Sequence, residues 1–427
     1  MRRPSFFYGW VILGVALLVM AVGYAMRNTF SVFYPVLVEE FDWERGSTAL
    51  MFSINIIVYG MAAPVAGALV DRFDPRLVLS GAACIMGGAI ALCSQATEQW
   101  QFYLLYGVLM AIGLSMAGVT PLNAILAKWF VRRRGLVFGI LNLGFGISLL
   151  VAPAAQSLIS GFGRQTAYIA IGLLAIAILV PVVLVLMRRS PADKGLYPDG
   201  TPGPPPATAT STSAHLSRAH TVWARTEWTL SRALSTYQFW LLFLADFCLM
   251  GVAQQIVIAH EVYFLRDVGF APMMAATIYS LFGICMLGGY LCGTVSDRVG
   301  REVLFIPGCL VSAAGASLLF LITDASHPWL GFLASGTCGF GMGLAVTPFF
   351  ATVADLFHGK HFGAIMGMIT FGFSLGGAFS PWLAGFLHDV TGTYTTSFLV
   401  LVGALLLDAL LMWLVSPRKL MPVPAKR

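Results

Sequence analysis

Gly67-Ala-Leu-Val-Asp71-Arg72-Phe-Asp74-Pro-Arg76 stands between two long apolar runs, and Gly293-Thr-Val-Ser-Asp297-Arg298-Val-Gly-Arg301 stands between two more, 226 residues further on. The likeness extends outward from both loops. Thr120-Pro121 recurs as Thr347-Pro348 after 227 residues, and the pair Gly135 and Gly139 recurs as Gly363 and Gly367 after 228. An offset that drifts so little across half a chain marks a duplication rather than a reused loop. Two similar halves inside an apolar chain imply a transporter whose halves rock against each other and expose a central cavity to each side in turn.

Of the 427 residues, 58% are hydrophobic and 10% are charged, against about 25% charged in a soluble domain. A surface so poor in charge needs lipid as its solvent. Twelve runs meet the length of about 20 apolar residues that a helical span requires. They cover 9–37, 47–70, 76–94, 101–127, 135–159, 166–187, 238–264, 271–295, 302–323, 328–354, 363–387 and 395–416. The expectation is an all-α membrane protein of twelve transmembrane helices, since barrel strands would need only about 10 alternating residues.

The formal net charge of +6 is not a nucleic-acid footprint. Arg2, Arg3, Arg72, Arg76, Lys128, Arg132, Arg133, Arg134, Arg188, Arg189, Arg298, Arg301, Lys360, Arg418 and Lys419 fall at alternate helix ends, while Arg45, Arg164 and Arg266 mark the opposite ends. Positive residues stay on the cytoplasmic side, which predicts both termini and the central loop on that side; the expected location is a bacterial-type inner membrane. Cys84, Cys93, Cys248, Cys285, Cys292, Cys309 and Cys338 form no close CxxC pair and read as reduced packing residues.

The apolar pattern stops at 188–236. Thr201 to Ser213 is rich in Pro, Thr, Ala and Ser and cannot bury enough apolar surface to fold. The chain is therefore divided into an N-terminal six-helix half (1–189), a mobile cytoplasmic linker (190–236) and a C-terminal six-helix half (237–427). Trp223, Arg225, Trp228 and Arg232 predict that the end of the linker lies among lipid headgroups.

The duplicated G-x-x-x-D-R loop, followed by Arg76 between helices 2 and 3 and by Arg301 between 8 and 9, resembles the signature of the major facilitator superfamily. Three further stretches resemble its monocarboxylate and oxalate/formate transporter group: Tyr8-Gly9-Trp10, Phe41-Asp42-Trp43, and Asn123-Ala-Ile-Leu-Ala-Lys128-Trp129-Phe130-x-Arg132-Arg-Arg134-Gly135. The resemblance implies two pseudo-symmetric six-helix halves, alternating access and no ATP hydrolysis. Carboxylate transporters of the group often carry an arginine in helix 8 or a basic residue in helix 11. Here the helix 8 stretch Tyr279-Ser280-Leu-Phe-Gly283-Ile-Cys285 and the helix 11 stretch Ile369-Thr370-Phe-Gly-Phe373-Ser374 contain no cation.

Arg27 is the one arginine well inside a span. A cation there costs at least about 2.5 kcal/mol to insert, so it needs a partner or a wet cavity. Tyr24, Arg27, Ser31 and Tyr34 follow each other at helical spacing and predict one polar face of helix 1. Arg27 is the candidate anion anchor, because its planar fork grips a carboxylate through two bonds; the alternative is a structural ion pair. Aligning the ends of helices 1 and 7 at an offset of 227 pairs Arg27-Asn28 with Gln254-Gln255. The two pairs sit at matching depth, where substrate sites of repeat transporters lie, although interhelical bonding explains such residues as well. Asn55, Tyr59 and Asn142 are further candidate cavity polars. His260, ahead of Glu261, both in the outer half of helix 7, is the candidate proton carrier; the alternative is that both merely gate or solvate the rim. Asp71, Arg72, Arg76, Asp297, Arg298 and Arg301, with Lys128, Asp355 and Asp246, are candidate gating residues that bias a conformational equilibrium rather than touch substrate.

These residues predict a monomeric secondary active transporter for a small organic anion, most plainly a carboxylate, with proton symport ahead of anion exchange. Its other partners are protons and membrane lipid. The rivals are a drug-type exporter of the same fold and a non-transporting receptor. Metal-ligand clusters, phosphate-binding GxxxxGK[ST] loops and G-x-S-x-G elbows are missing from the sequence, so neither an enzyme, a cofactor nor a metal is expected.

Overall fold

The structure is a computed structural model, and it describes residues 7–130, 134–200, 227–357 and 362–415, without the side chains of Asp71, Arg134, Asp297 and Arg298. The described residues are helical and contain no strand. Helices close every backbone hydrogen bond within the segment, which lipid demands because it offers none. Eleven helices among the described residues are long and apolar enough to cross a membrane.

One of the eleven, Leu136–Leu186, has 51 residues. At a rise of ~1.5 Å per residue it would extend about 75 Å, more than twice a hydrocarbon core of ~30 Å. It is two crossings. A turn at Leu150 and Val151 bends the first, and Gly163 (φ 79°, ψ 166°) ends it. The crossings are α1 (Gly9–Phe41), α2 (Arg45–Arg72), α3 (Pro75–Leu92), α4 (Gln99–Trp129), α5 (134–162), α6 (164–186), α7 (Tyr237–Asp267), α8 (Pro272–Gly293), α9 (Arg301–Leu321), α10 (Pro328–Leu356), α11 (Phe362–Thr391) and α12 (Thr395–Val415). Twelve crossings agree with the twelve apolar runs.

Contacts group the chain into two units, Met1–Phe33 with Ile54–Ser211, and Tyr34–Ser53 with Thr212–Arg427. In the first, α1 packs on α5, and α3 packs on α4 and α6. In the second, α7 packs on α11, and α9 packs on α10 and α12. These are the pairs that the duplication relates, so the repeat in sequence is a repeat in packing. The hairpin formed by the end of α1 and the start of α2 belongs by contact to the second unit.

All seven cysteines are free; Cys93, Cys248, Cys309 and Cys338 are buried in the packing, whereas Cys84 and Cys292 are exposed. The end of the linker departs from expectation. Trp228 is buried and meets the Phe357 ring edge-on at 5.1 Å, so protein rather than lipid headgroups surrounds it. Arg232 lies in the short helix Leu230–Leu234, which Thr229 caps; Trp223, Arg225 and the Thr201–Ser213 stretch lie outside the described residues.

The φ of Gly163 lies where L side chains rarely go, yet a Cβ there would meet nothing within 4 Å. Gly163→Ala should therefore cost ~1–3 kcal/mol through the backbone alone. Thermal denaturation of the purified protein should register this loss and no comparable one for Gly161→Ala, whose added Cβ also meets open space.

Candidate functional site

Helix α1 is interrupted beside its arginine. Regular helix runs Gly9–Asn28, Thr29 forms a turn, and helix resumes at Phe30–Phe41 with Pro35 inside it. Side chains bond the backbone that the break disturbs. The Tyr106 hydroxyl donates to the Arg27 carbonyl (2.7 Å), the Ser31 hydroxyl to the Asn28 carbonyl (3.0 Å) and the Thr29 hydroxyl to the Met26 carbonyl (3.0 Å). Irregular backbone at membrane depth persists only where such groups are satisfied.

Arg27 is fully buried. Its guanidinium carbon lies 4.6 Å from the centre of the Tyr24 ring and 5.8 Å from that of Tyr59. These ring faces attract a cation, the more so in a desolvated site. The Tyr24 hydroxyl donates to the Tyr59 hydroxyl (2.9 Å), and Phe145 meets the Tyr24 ring edge-on at 5.3 Å. Around this core, Asn28 Nδ2 donates to Ser148 Oγ (2.8 Å) and Asn55 Nδ2 to the Tyr106 carbonyl (2.8 Å). Asn142 is half-buried on α5.

Thus Tyr24, Arg27, Asn28, Asn55 and Tyr59 come together in the first unit. Ser31 spends its hydroxyl on its own helix. Tyr34 is divided from the others: it lies in the second unit, edge-on to His260 (5.3 Å) and Tyr263 (4.9 Å), with its hydroxyl donating to the Arg45 carbonyl (2.9 Å). Tyr34 stands two helical turns beyond Arg27, about 10 Å further along the axis. Tyr106 and Ser148 were not singled out from the sequence. Tyr106 sits in a π-helical stretch of α4, Tyr103–Met110, whose wider turn has no signature in residue types.

A second π-helical stretch, Phe247–Ala253 in α7, leads directly into Gln254 and Gln255. Gln255 Nε2 donates to the Met250 carbonyl (3.1 Å), and Gln254 Nε2 faces Met286 Sδ (3.6 Å). His260 is fully buried. Its Nε2 lies 2.8 Å from the Pro381 carbonyl and its Nδ1 3.2 Å from the Tyr394 hydroxyl. A carbonyl only accepts, so Nε2 carries the hydrogen and the neutral ring accepts from Tyr394 at Nδ1. Glu261 is buried beside Ser335 of α10, and its Oε2 has no hydrogen-bond partner among the described residues.

Two candidate gate arginines, Arg301 and Arg76, are bonded to groups of their own units. Arg301 Nε lies 2.9 Å from Asp355 Oδ2, and Arg301 Nη1 donates to Ser296 Oγ (2.9 Å). Arg76 Nε donates to the Met187 carbonyl (2.8 Å), and Arg72 lies over the Phe73 ring. Lys128 is half-buried in α4. Asp246 is fully buried and accepts the Phe373 backbone N–H (3.1 Å), joining α7 to α11. The side chains of Asp71, Asp297 and Arg298 are outside the description. Among the described residues no group of three or more His, Cys, Asp or Glu is placed to hold a metal.

A profile of the Major Facilitator Superfamily matches residues 16–370 and 293–427. The chain belongs to that superfamily. It is a multi-pass membrane transporter and not an enzyme. It is 26% identical to "Monocarboxylate transporter 11" of Homo sapiens over 425 residues, covering 98% of this chain and 84% of that one. It is 27% identical to "Monocarboxylate transporter 13" of Rattus norvegicus over 407 residues, covering 95% and 88%. Among solved structures, a bacterial homologue of the human lysosomal transporter Spinster, in an inward-facing and unoccupied conformation, aligns with a TM-score of 0.64 over 96% of each chain. At 14% identity that likeness shows the fold alone.

Removing the Tyr106 hydroxyl leaves the Arg27 carbonyl without this donor at the break. Tyr106→Phe should destabilise the protein by ~1–3 kcal/mol, the cost of a buried polar group left unpaired. Thermal unfolding followed by intrinsic fluorescence tests this, with the exposed Tyr197→Phe expected to be neutral.

Proposed function

We propose that this transporter moves a small organic carboxylate by alternating access, with proton symport. The reading rests on Arg27: a permanently charged fork, fully buried at a break in α1, between the faces of two tyrosines. Such a group suits a planar anion, and the name of the relatives, monocarboxylate transporter, denotes the same class. Tyr24, Tyr59 and Asn28 orient the anion, and Phe145 walls the aromatic side of the site. With no cation in the quoted stretches of α8 and α11, Arg27 is the primary anchor. Both termini lie on the cytoplasmic side of a bacterial-type inner membrane, as the basic helix ends indicate.

Of the two candidate coupling residues, Glu261 fits the carrier role better. Both ring nitrogens of His260 are engaged with Pro381 and Tyr394, which suits a structural histidine. Glu261 has an oxygen without a partner among the described residues, and a carboxyl can gain and lose a proton without breaking a bond there.

Equilibrium binding of small carboxylates to purified protein, with uptake into proteoliposomes, tests the anchor. Arg27→Ala should weaken binding ~10- to 100-fold, the scale of a lost charged hydrogen bond, and Arg27→Lys should recover part of it. Wild-type binding by a correctly inserted Arg27→Ala protein removes the assignment. Tighter binding of apolar cations than of carboxylates would favour the drug-exporter reading.

Uptake driven by an imposed pH gradient, without membrane potential, tests the coupling. His260→Gln should keep gradient-driven uptake, and Glu261→Gln should abolish it while retaining exchange. Gradient-independent uptake in the unaltered protein, requiring an internal counter-anion, would establish exchange instead.

A further inference from the structure

The hairpin Tyr34–Ser53 is fastened to α7 and α11 by charged groups that the substrate site does not use. Arg45 donates from both terminal nitrogens to the Asp267 carboxylate, Nη2 to Oδ1 at 3.0 Å. Its guanidinium lies 4.0 Å over the centre of the Tyr263 ring. Asp389 accepts the first two backbone N–H groups of α2, from Arg45 (3.1 Å) and Gly46 (2.6 Å). It thus caps α2 from a helix more than 340 residues away, where a helix start is ordinarily capped by its own chain. The approach is close: a Cβ on Gly46 would lie 3.0 Å from the Phe386 nitrogen. A second pair, Arg266 with Glu39 at 2.9 Å, flanks the first.

His388 stands beside this fastening. Its Nε2 is 3.7 Å from Asp267 Oδ2, its ring centre is 4.6 Å from that of Tyr394, and its Nδ1 has no hydrogen-bond partner among the described residues. The charged and titratable groups around it are Arg45, Asp267, Asp389, Tyr263, Tyr394 and His260. Tyr394, in the link between α11 and α12, is held by burial above the ordinary phenol value and stays neutral. His260 is engaged at both nitrogens. Asp267, His388 and Asp389 all ride on α7 and α11, and Arg45 rides on the hairpin.

We propose that His388 is a proton-binding site whose occupation releases the Arg45 hairpin. With Arg45 seated, one cation already faces the two carboxylates, and an imidazolium beside it is repelled. With Arg45 withdrawn, the same carboxylates have only the imidazolium to balance them. A proton on His388 and the guanidinium of Arg45 therefore compete for Asp267 and Asp389. By linkage, each favours the state that lacks the other. Acid on this face, the outer one in the orientation proposed above, shifts the hairpin toward release. The release needs no substrate and does not involve Arg27 or Glu261, so it stands or falls apart from the carboxylate reading.

The test is a distance measurement by double electron–electron resonance on purified full-length protein without substrate. Spin labels go on Glu44→Cys and Thr393→Cys, both exposed, in a chain whose exposed Cys84 and Cys292 are replaced by Ser. Between about pH 7.5 and about pH 5.5, the range that brackets an ordinary histidine, the longer-distance population should grow several-fold. His388→Gln should stay at the short distance throughout. His388→Lys, with a fixed charge, should show the long distance throughout, an outcome that loss of packing does not give for one variant and withhold from the other. A wild-type distance indifferent to pH, or a pH response that persists in His388→Gln, overturns the proposal. Because no transport is measured, failure here leaves the Arg27 assignment untouched, and failure of substrate binding leaves this one untouched.

Discussion

Lipid supplies no hydrogen bonds, and the placing of polar groups in this protein follows from that. The break at Thr29 frees backbone groups at membrane depth, and Tyr106, Ser31 and Thr29 bond them. Asn55 in turn holds the Tyr106 carbonyl within the wider π-helical turn of α4. The arginine therefore stands on an irregular piece of helix whose irregularity is already compensated. A regular α1 would need none of these side chains.

The crossings were legible in the sequence because run length is a local property. The boundary between α5 and α6, expected between 159 and 166, falls at Gly163, where a residue without a Cβ can turn the chain. The pairing of helices was legible too, through the duplication. The division of the polar face of α1 was not: Pro35 marks a disturbed turn before it, but spacing alone does not say how far along the axis one face serves one site. The fastening of the hairpin was also hidden. Arg45 meets Asp267 across 222 positions and Asp389 across 344, and one sequence gives no measure of such distances. A trace was present nonetheless: Arg45 and Arg266 were two of the three basic residues on the wrong side of the charge asymmetry. Both turn out to be held by carboxylates.

The two halves repeat the scaffold and not the charge. Among the described residues, the buried ionisable side chains of the first unit include Arg27 and Arg164, and those of the second include Asp246, Glu261 and Asp408. An arginine keeps its charge in any surroundings, and its burial is tolerable only with aromatic faces, dipoles or an anion close by. Arg164 answers this with the Cys93 carbonyl and the Phe102 ring, at a helix end. A buried carboxyl has a further option, because a proton neutralises it and removes most of the cost of burial. On the proposed reading, duplication has thus allotted a fixed charge for the anion to one half and exchangeable protons to the other.

The duplicated loops and the hairpin differ in what must break when they move. Arg301 is paired with Asp355, and Arg76 is bonded to the Met187 carbonyl, each inside a single unit. The hairpin is different: its chain continues on both sides into the first unit, and its charges are paired with α7 and α11 of the second. In the release proposed above, a displacement of the hairpin from α7 and α11 breaks these pairs. A few charged bonds at the tip of two long helices are therefore well placed to decide whether that displacement occurs. A nearby group whose charge depends on the medium can set that decision without touching the substrate.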